Sequence, residues 1–158
     1  NQLQVNDVLR FTSVKEPVGG VSVAQLQLQT TLNGDITASA TTITLTDGSN
    51  FPTSGSIMIK KIDSSTGLYA NEIITYTGRS SNDLTGCTRG TSAVYRGYTP
   101  PSTTAGSHDS GATIYGSFKV VSLVGTDSFT VTLPSAATGT EKGGGFNCVI
   151  SPLNVESL

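Results

Sequence analysis

Apolar and polar residues alternate over short stretches along most of this chain. Alternation over four to eight residues is typical of a half-buried β-strand. The pattern predicts strands at residues 5–14, 36–46, 56–62, 72–76, 111–115, 117–124, 127–133 and 146–150. No segment keeps an apolar residue every 3.6 positions, so little helix is expected.

The stretch at 71–90, NEIITYTGRSSNDLTGCTRG, is the centre of the predicted fold. It is interpreted as a strand at 72–76, a turn at 78–83 and a short apolar segment at 84–87. The DSSTG sequence at 63–67 predicts a hairpin loop before it. The hairpin at 71–90 therefore organises the strands on either side.

Residues 21–28, VSVAQLQL, do not fit one period. The two valines share one parity and the two leucines share the other, so either a bulge or a short helical turn lies near Ala24. We interpret this stretch as a strand.

Residues 94–108 lose the alternation and contain aromatic residues beside two prolines. Long loops in compact domains often make contacts. Tyr95, Arg96 and Tyr98 are therefore the candidate interface residues. The alternative is that they only pack the loop.

The order of the strands predicts an all-β fold of two nested small barrel or sandwich units. Residues 1–30 and 117–150 form the outer, discontinuous unit, residues 31–116 form an inserted module, and residues 151–158 form a tail. Insertion is tolerated where the cut ends of the host lie close together at an exposed turn.

Charged residues make up only 13% of the chain, about half the usual share, and the net charge is −2. Such a chain lacks the basic field that attracts a phosphate backbone, so no nucleic-acid partner is expected. No apolar run approaches the roughly 20 residues that span a bilayer, so no membrane partner is expected.

The sequence offers no catalytic, cofactor or metal motif. Cys87 and Cys148 lack a CxxC spacing and are expected to be buried thiols, although one disulfide between them is possible. His108 lies beside Asp109, but no G-x-S-x-G nucleophile motif accompanies them. The aspartates mostly lie at predicted turns, where their carboxylates accept backbone N–H bonds.

Arg89 follows the turn at the end of the central hairpin. In so small a unit, such an arginine commonly binds a carboxylate or carbonyls, and Glu72 is a partner within reach of the same hairpin. We therefore predict a structural role for Glu72 and Arg89.

Several of these stretches together resemble a β-rich module of tailed-bacteriophage structural proteins. The shared features are the TTITLTD strand, the FPTSG turn, the EIITY strand, the LTGCTRG turn and the downstream HDSGA. The segments at 60–70 and after Thr91 look expanded relative to that module. Within the resemblance, His108 belongs to the closing segment and is expected to hydrogen-bond a turn.

The flanks resemble a second phage-associated pattern. It comprises VNDVLRF, a Gly-Gly turn, KVVSL, TDSFTV and SAATGTEKGGG. The two resemblances imply a non-enzymatic structural protein of a virion, either a capsid decoration or a tail component. They imply virion proteins and further copies of the chain as partners, and no cofactor. The alternative is a carbohydrate- or receptor-binding module of a tail fibre, for which Tyr95 and Tyr98 are the candidate platform.

Overall fold

A computed structural model describes residues 2–14, 20–135 and 149–153. These residues form an almost entirely β structure with one short helix. The elements are β1 (Val8–Thr12), α1 (Val23–Leu26), β2 (Gln29–Thr31), β3 (Ile43–Thr44), β4 (Gly55–Ile59), β5 (Glu72–Tyr76), β6 (Gly78–Ser80), β7 (Asp83–Thr85), β8 (Thr88–Thr91), β9 (Thr113–Tyr115), β10 (Phe118–Lys119), β11 (Ser122–Val124), β12 (Ser128–Thr130) and β13 (Val149–Pro152). The all-β prediction is confirmed.

The largest sheet has five strands in the order β2-β9-β4-β5-β8, all antiparallel. At its centre, β4 and β5 pair over five residues. Alternation along both strands sends the pair Ile57 and Ile74 into one apolar core and the pair Met58 and Ile73 into a second, smaller core. Burial on both faces explains why these strands are the most apolar in the chain.

A three-stranded sheet, β3-β7-β6, packs against the first face of the five-stranded sheet. Ile43 and Leu84, which are partners across β3 and β7, lie in the same core as Ile57 and Ile74. Two packed sheets with a shared core form a sandwich-like arrangement. In the described part of the chain neither sheet closes into a barrel, since β2 and β8 are the two end strands of the larger sheet and do not pair with each other.

The first and last described strands meet in a third sheet, ordered β10-β1-β13, and β11 pairs with β12 in a hairpin. Phe11 of β1 and Phe118 of β10 contact edge to face, with ring centroids 5.7 Å apart, and both lie in the larger core. The outer strands and the middle sheets therefore share that core. The inserted module at residues 31–116 stays a prediction. The predicted tail contains the end of β13 and Leu153, which is fully buried.

The interpretation of residues 21–28 as a strand is wrong. Residues Val23–Leu26 form a single helical turn that a capping box holds. The Ser22 hydroxyl accepts a bond from the Gln25 amide, and the Gln25 side chain accepts one from the Ser22 amide. The S-x-x-Q spacing was a signal for this cap.

The predicted strand at 36–46 is also largely wrong. Only Ile43–Thr44 forms a strand, with single bridges at Ile36 and Leu45. The small residues between them allow a turn, in which the amide of Ala40 donates to the carbonyl of Thr37. Residues 37–40 form a turn despite the strand propensity of the segment, and this turn brings Thr37 to the candidate site described below.

The predicted turn at 78–83 is much shorter than expected. Residues 78–83 contain β6 and the start of β7, which pair as a tight hairpin. The turn is confined to Ser81 and Asn82, and Ser81 has a positive φ of 55°. The strand predicted at 72–76 is present with the same bounds, as β5. The strands predicted at 5–14, 56–62, 111–115 and 127–133 are present in shorter form, and the one predicted at 117–124 divides into β10 and β11. Residues 146–148 of the last predicted strand lie outside the described residues.

Candidate functional site

A cluster of hydrogen-bonded polar groups surrounds Glu72, at the start of β5. Its carboxylate is fully buried although it belongs to the central sheet. Arg89 of β8 binds it with two parallel bonds, Nε to Oε1 and Nη2 to Oε2, each 2.8 Å long. Paired bonds of this kind are among the strongest that a carboxylate accepts.

Three further donors complete the shell of Glu72. The Gly90 amide donates to Oε1 at 3.0 Å, the Gly106 amide donates to Oε2 at 3.1 Å, and His108 Nε2 lies 2.6 Å from Oε2. Burial raises the pKa of Glu72, but the bonds from His108, Arg89 and Gly106 and the charge of Arg89 outweigh it and lower the pKa to about 2. Glu72 is therefore an ionised carboxylate at neutral pH.

Arg89 extends this network to two loops. Its Nη2 also donates to the carbonyl of Gly106 at 2.6 Å, and its Nη1 donates to the carbonyl of Thr37. We call Glu72, Arg89, Gly90, Gly106 and His108 the Glu72 network. It joins the central sheet to the turn at 37–40 and to the end of the long loop. Donors from the protein itself bind both oxygens of the Glu72 carboxylate. The hydrogen bonds of the network therefore hold these segments together.

His108 is buried and binds Glu72 rather than its sequence neighbour Asp109, which is exposed. Its backbone exchanges hydrogen bonds with Ile36 as well. These backbone bonds form an isolated β-bridge and not the expected bond to a turn, and the side chain has a partner 36 positions away. Sequence spacing gave no signal for that distant partner.

The predicted interface residues lie in a tight turn, residues 95–98, which we call the tyrosine turn. Tyr95 and Tyr98 exchange backbone hydrogen bonds, and the two residues between them, Arg96 and Gly97, have positive φ of 52° and 71°. These angles are typical of a two-residue hairpin turn. Tyr98 is 66% exposed, Arg96 is exposed with its guanidinium 5.3 Å from the Tyr95 ring, and Tyr95 is half-buried.

Asp7 fixes the tyrosine turn to the start of β1. Its buried carboxylate accepts the Gly97 amide at 3.0 Å and the Gln4 amide at 2.7 Å. Residue 7 falls in a predicted strand, and no sequence pattern indicated this bond across 90 positions. The VNDVLRF segment of the flanking pattern, which contains Asp7, is the signal that could have drawn attention to this residue.

Comparison with protein-family models, with curated proteins and with solved structures gave no match in any of the three. The phage resemblance therefore remains an expectation from sequence patterns.

Other candidate chemistry lies apart from the Glu72 network. Cys87 is a buried free thiol whose Sγ lies 3.4 Å from the Leu84 carbonyl, and burial raises its pKa. Cys148 lies outside the described residues. Within the described ranges, no three His, Cys, Asp or Glu side chains lie close enough to hold a metal ion. No helix there is long and apolar enough to cross a membrane.

Proposed function

We propose that this chain is a non-enzymatic structural component of a tailed-phage virion, acting as a capsid decoration or a tail-associated protein. The phage assignment is supported by the two sequence patterns that cover most of the chain. The structural role is supported by what the polar residues of those patterns do. The side chains of Glu72, Arg89 and His108 are buried, and Arg89 and His108 both bind Glu72.

The observation that carries the proposal is the closed Glu72 network. A reactive carboxylate must reach a substrate, whereas this one accepts five hydrogen bonds from the protein and is fully buried. The network holds the long loop near its end at Gly106, and Asp7 holds the tyrosine turn near its start at Gly97. A loop fixed at both places presents a rigid surface.

That surface is suited to a protein partner. Tyrosine and arginine residues often anchor interfaces. A tyrosine ring buries a large area at a low cost in conformational entropy. Tyr98 and Arg96 supply such a pair in a chain with few charges. The partners are a neighbouring virion protein and further copies of this chain, and repeated virion contacts follow rotational symmetry.

Variants of the tyrosine turn test this function. Tyr98→Ser removes the exposed ring, and Leu68→Ser is the matched control because Leu68 is 68% exposed on a different hairpin. We expect Tyr98→Ser to weaken both the oligomer and binding to phage particles that lack the protein, and Leu68→Ser to leave both intact. Light scattering and cosedimentation measure the two properties. Equal behaviour of the two variants would refute the interface.

The exposed Tyr98 ring also favours a second function, a receptor- or carbohydrate-binding module of a tail fibre. An exposed aromatic ring is a common platform for a sugar. A protein that stays monomeric, ignores particles and binds bacterial cells through Tyr98 would support this second function instead.

A further inference from the structure

Asn33 and Gly34 lie in an exposed turn between β2 and β3. The turn has the sequence LNGD at residues 32–35, and the side chain of Asn33 and the backbone of Gly34 are both exposed. Gly34 has a positive φ of 93°, a conformation that favours glycine. Apart from its chain neighbours, no heavy atom lies within 4 Å of the place where a Cβ of Gly34 would stand. The pair is therefore open to water and free of steric cover.

The fold does not hold the side chain of Asn33. Its backbone amide donates to the Thr44 carbonyl at 2.9 Å, but its carboxamide makes no hydrogen bond within the described ranges. Asn71 and Asn82 differ, because both are half-buried and the side-chain oxygen of each accepts a backbone amide at 2.9 Å. The Asn33 carboxamide is therefore free to rotate towards the backbone of the next residue.

The backbone nitrogen of Gly34 becomes a nucleophile when it loses its proton. Its attack on Cγ of Asn33 forms a C–N bond that closes a five-membered succinimide ring. The bond from Cγ to Nδ2 breaks, and the NH₂ group leaves as ammonia with the hydrogen that Gly34 lost. Water then opens the ring at either carbonyl and gives aspartate or isoaspartate. Glycine favours the closure because it has no side chain beside the attacking nitrogen.

Ser110 restrains that nitrogen. The Gly34 amide donates to Ser110 Oγ at 3.0 Å, and the same hydroxyl donates to the Leu32 carbonyl at 3.4 Å. A hydrogen bond donated by an N–H group favours its protonated form. The bond also holds the nitrogen in place, away from attack on Asn33. The Ser110 hydroxyl therefore opposes both steps that precede ring closure.

We propose that Asn33 is a site of spontaneous deamidation and that the Ser110 hydroxyl slows the reaction. Water is the co-reactant, and no enzyme is needed. The product carries a new carboxylate near Asp35, and its isoaspartate form adds one carbon to the main chain. The change lies close to the bridge between Ile36 and His108, so it alters the backbone that supports the Glu72 network. The site does not depend on the virion role.

Peptide mapping by mass spectrometry tests the site in the whole folded protein, incubated in mildly alkaline buffer. Deamidation replaces an NH₂ group with OH and raises the mass of the peptide, and chromatography separates aspartate from isoaspartate. We expect Asn33 to convert first among the asparagines that the structure describes. Asn6 is the matched internal control, since it is also exposed but precedes Asp7, whose side chain hinders the attack.

Three serine variants test the restraint. Ser110→Ala removes the hydroxyl and is expected to speed conversion of Asn33 about twofold to tenfold, the equivalent of one hydrogen bond. Ser110→Thr keeps a hydroxyl and should keep the natural rate. Ser102→Ala, at an exposed serine of another loop, is the control and should also keep it. In urea, where the contact is absent, Ser110→Ala and the natural protein should convert at equal rates.

The outcomes separate the two parts of the proposal. First conversion at Asn33, faster in Ser110→Ala alone and only in the folded protein, supports both. Conversion of Asn6 before Asn33 overturns the site, as does a folded protein that keeps the Asn33 amide while the unfolded protein loses it. Equal rates in Ser110→Ala and the natural protein overturn the restraint. Equal acceleration by Ser110→Thr or Ser102→Ala, or a difference that persists in urea, also overturns the restraint.

Discussion

Replacing Glu72 with glutamine should strongly destabilise the fold, because the five donors around this side chain are arranged for a carboxylate. Glutamine has nearly the same shape but one oxygen and one NH₂ group. The NH₂ group would face N–H donors of Arg89, Gly90, Gly106 or His108. Arg89, whose side chain is only 7% exposed, would lose its counter-charge.

Two routes give the magnitude. Lowering the pKa of Glu72 from 4.5 to about 2 corresponds to about 3 kcal/mol of stability at neutral pH. Removing one partner of a buried ion pair typically costs about 3 to 5 kcal/mol. We therefore expect Glu72→Gln to lower the free energy of unfolding by about 3 to 5 kcal/mol, a large part of the 5 to 15 kcal/mol of a typical domain.

Urea unfolding followed by far-UV circular dichroism measures this loss, and the chain has no tryptophan to provide a fluorescence signal. A loss of 3 kcal/mol lowers the urea midpoint by about 1 to 3 M. Asp109→Asn is the matched control, since its carboxylate is exposed and makes no hydrogen bond among the described residues. It should change stability by less than about 0.5 kcal/mol. A loss below about 1 kcal/mol in Glu72→Gln would refute the structural reasoning.

The same network predicts a pH dependence. The folded pKa of Glu72 lies below its unfolded value, so its stabilisation is complete above about pH 4.5 and is lost as the pH falls towards 2. Stability should therefore fall more steeply between pH 5 and pH 2 in the natural protein than in Glu72→Gln. Urea melts across this range measure both slopes. Parallel slopes would show that Glu72 is not the group responsible.

Three further predictions concern other parts of the molecule. Asp7→Asn should cost about 1 to 3 kcal/mol and speed hydrogen exchange at the Gly97 amide, whose acceptor it weakens; unchanged exchange would contradict the proposed anchor. Cys87 should resist iodoacetamide at pH 7 in the folded protein and react after unfolding, as peptide mapping by mass spectrometry can show, because burial raises its pKa. A fragment of residues 29–116, which keeps β2 with its partner β9, should fold alone; a disordered proton NMR spectrum would reject the inserted module.

Local patterns in the sequence were sufficient to predict the strands that are long and buried on both faces. The EIITY run predicts β5, and the SIMIKKI run predicts its partner β4. Arg89 of β8 lies within reach of Glu72 of β5 because these two strands are antiparallel neighbours. Here pattern and tertiary structure agree.

Sequence patterns failed where structure depends on distant partners or on very short elements. The single turn of α1 is too short to show a helical period, and its cap rather than its periodicity defines it. The bond of Glu72 to His108 spans 36 positions and that of Asp7 to Gly97 spans 90. Only the paired sheets bring such residues together, so no local rule could select them.

The measurement that tests the central claim most directly is cosedimentation of the purified protein with tailed-phage particles assembled without it. The virion proposal predicts saturable binding with a fixed number of copies per particle, lost in Tyr98→Ser and kept in Leu68→Ser. A protein that stays in the supernatant at every particle concentration would contradict that role.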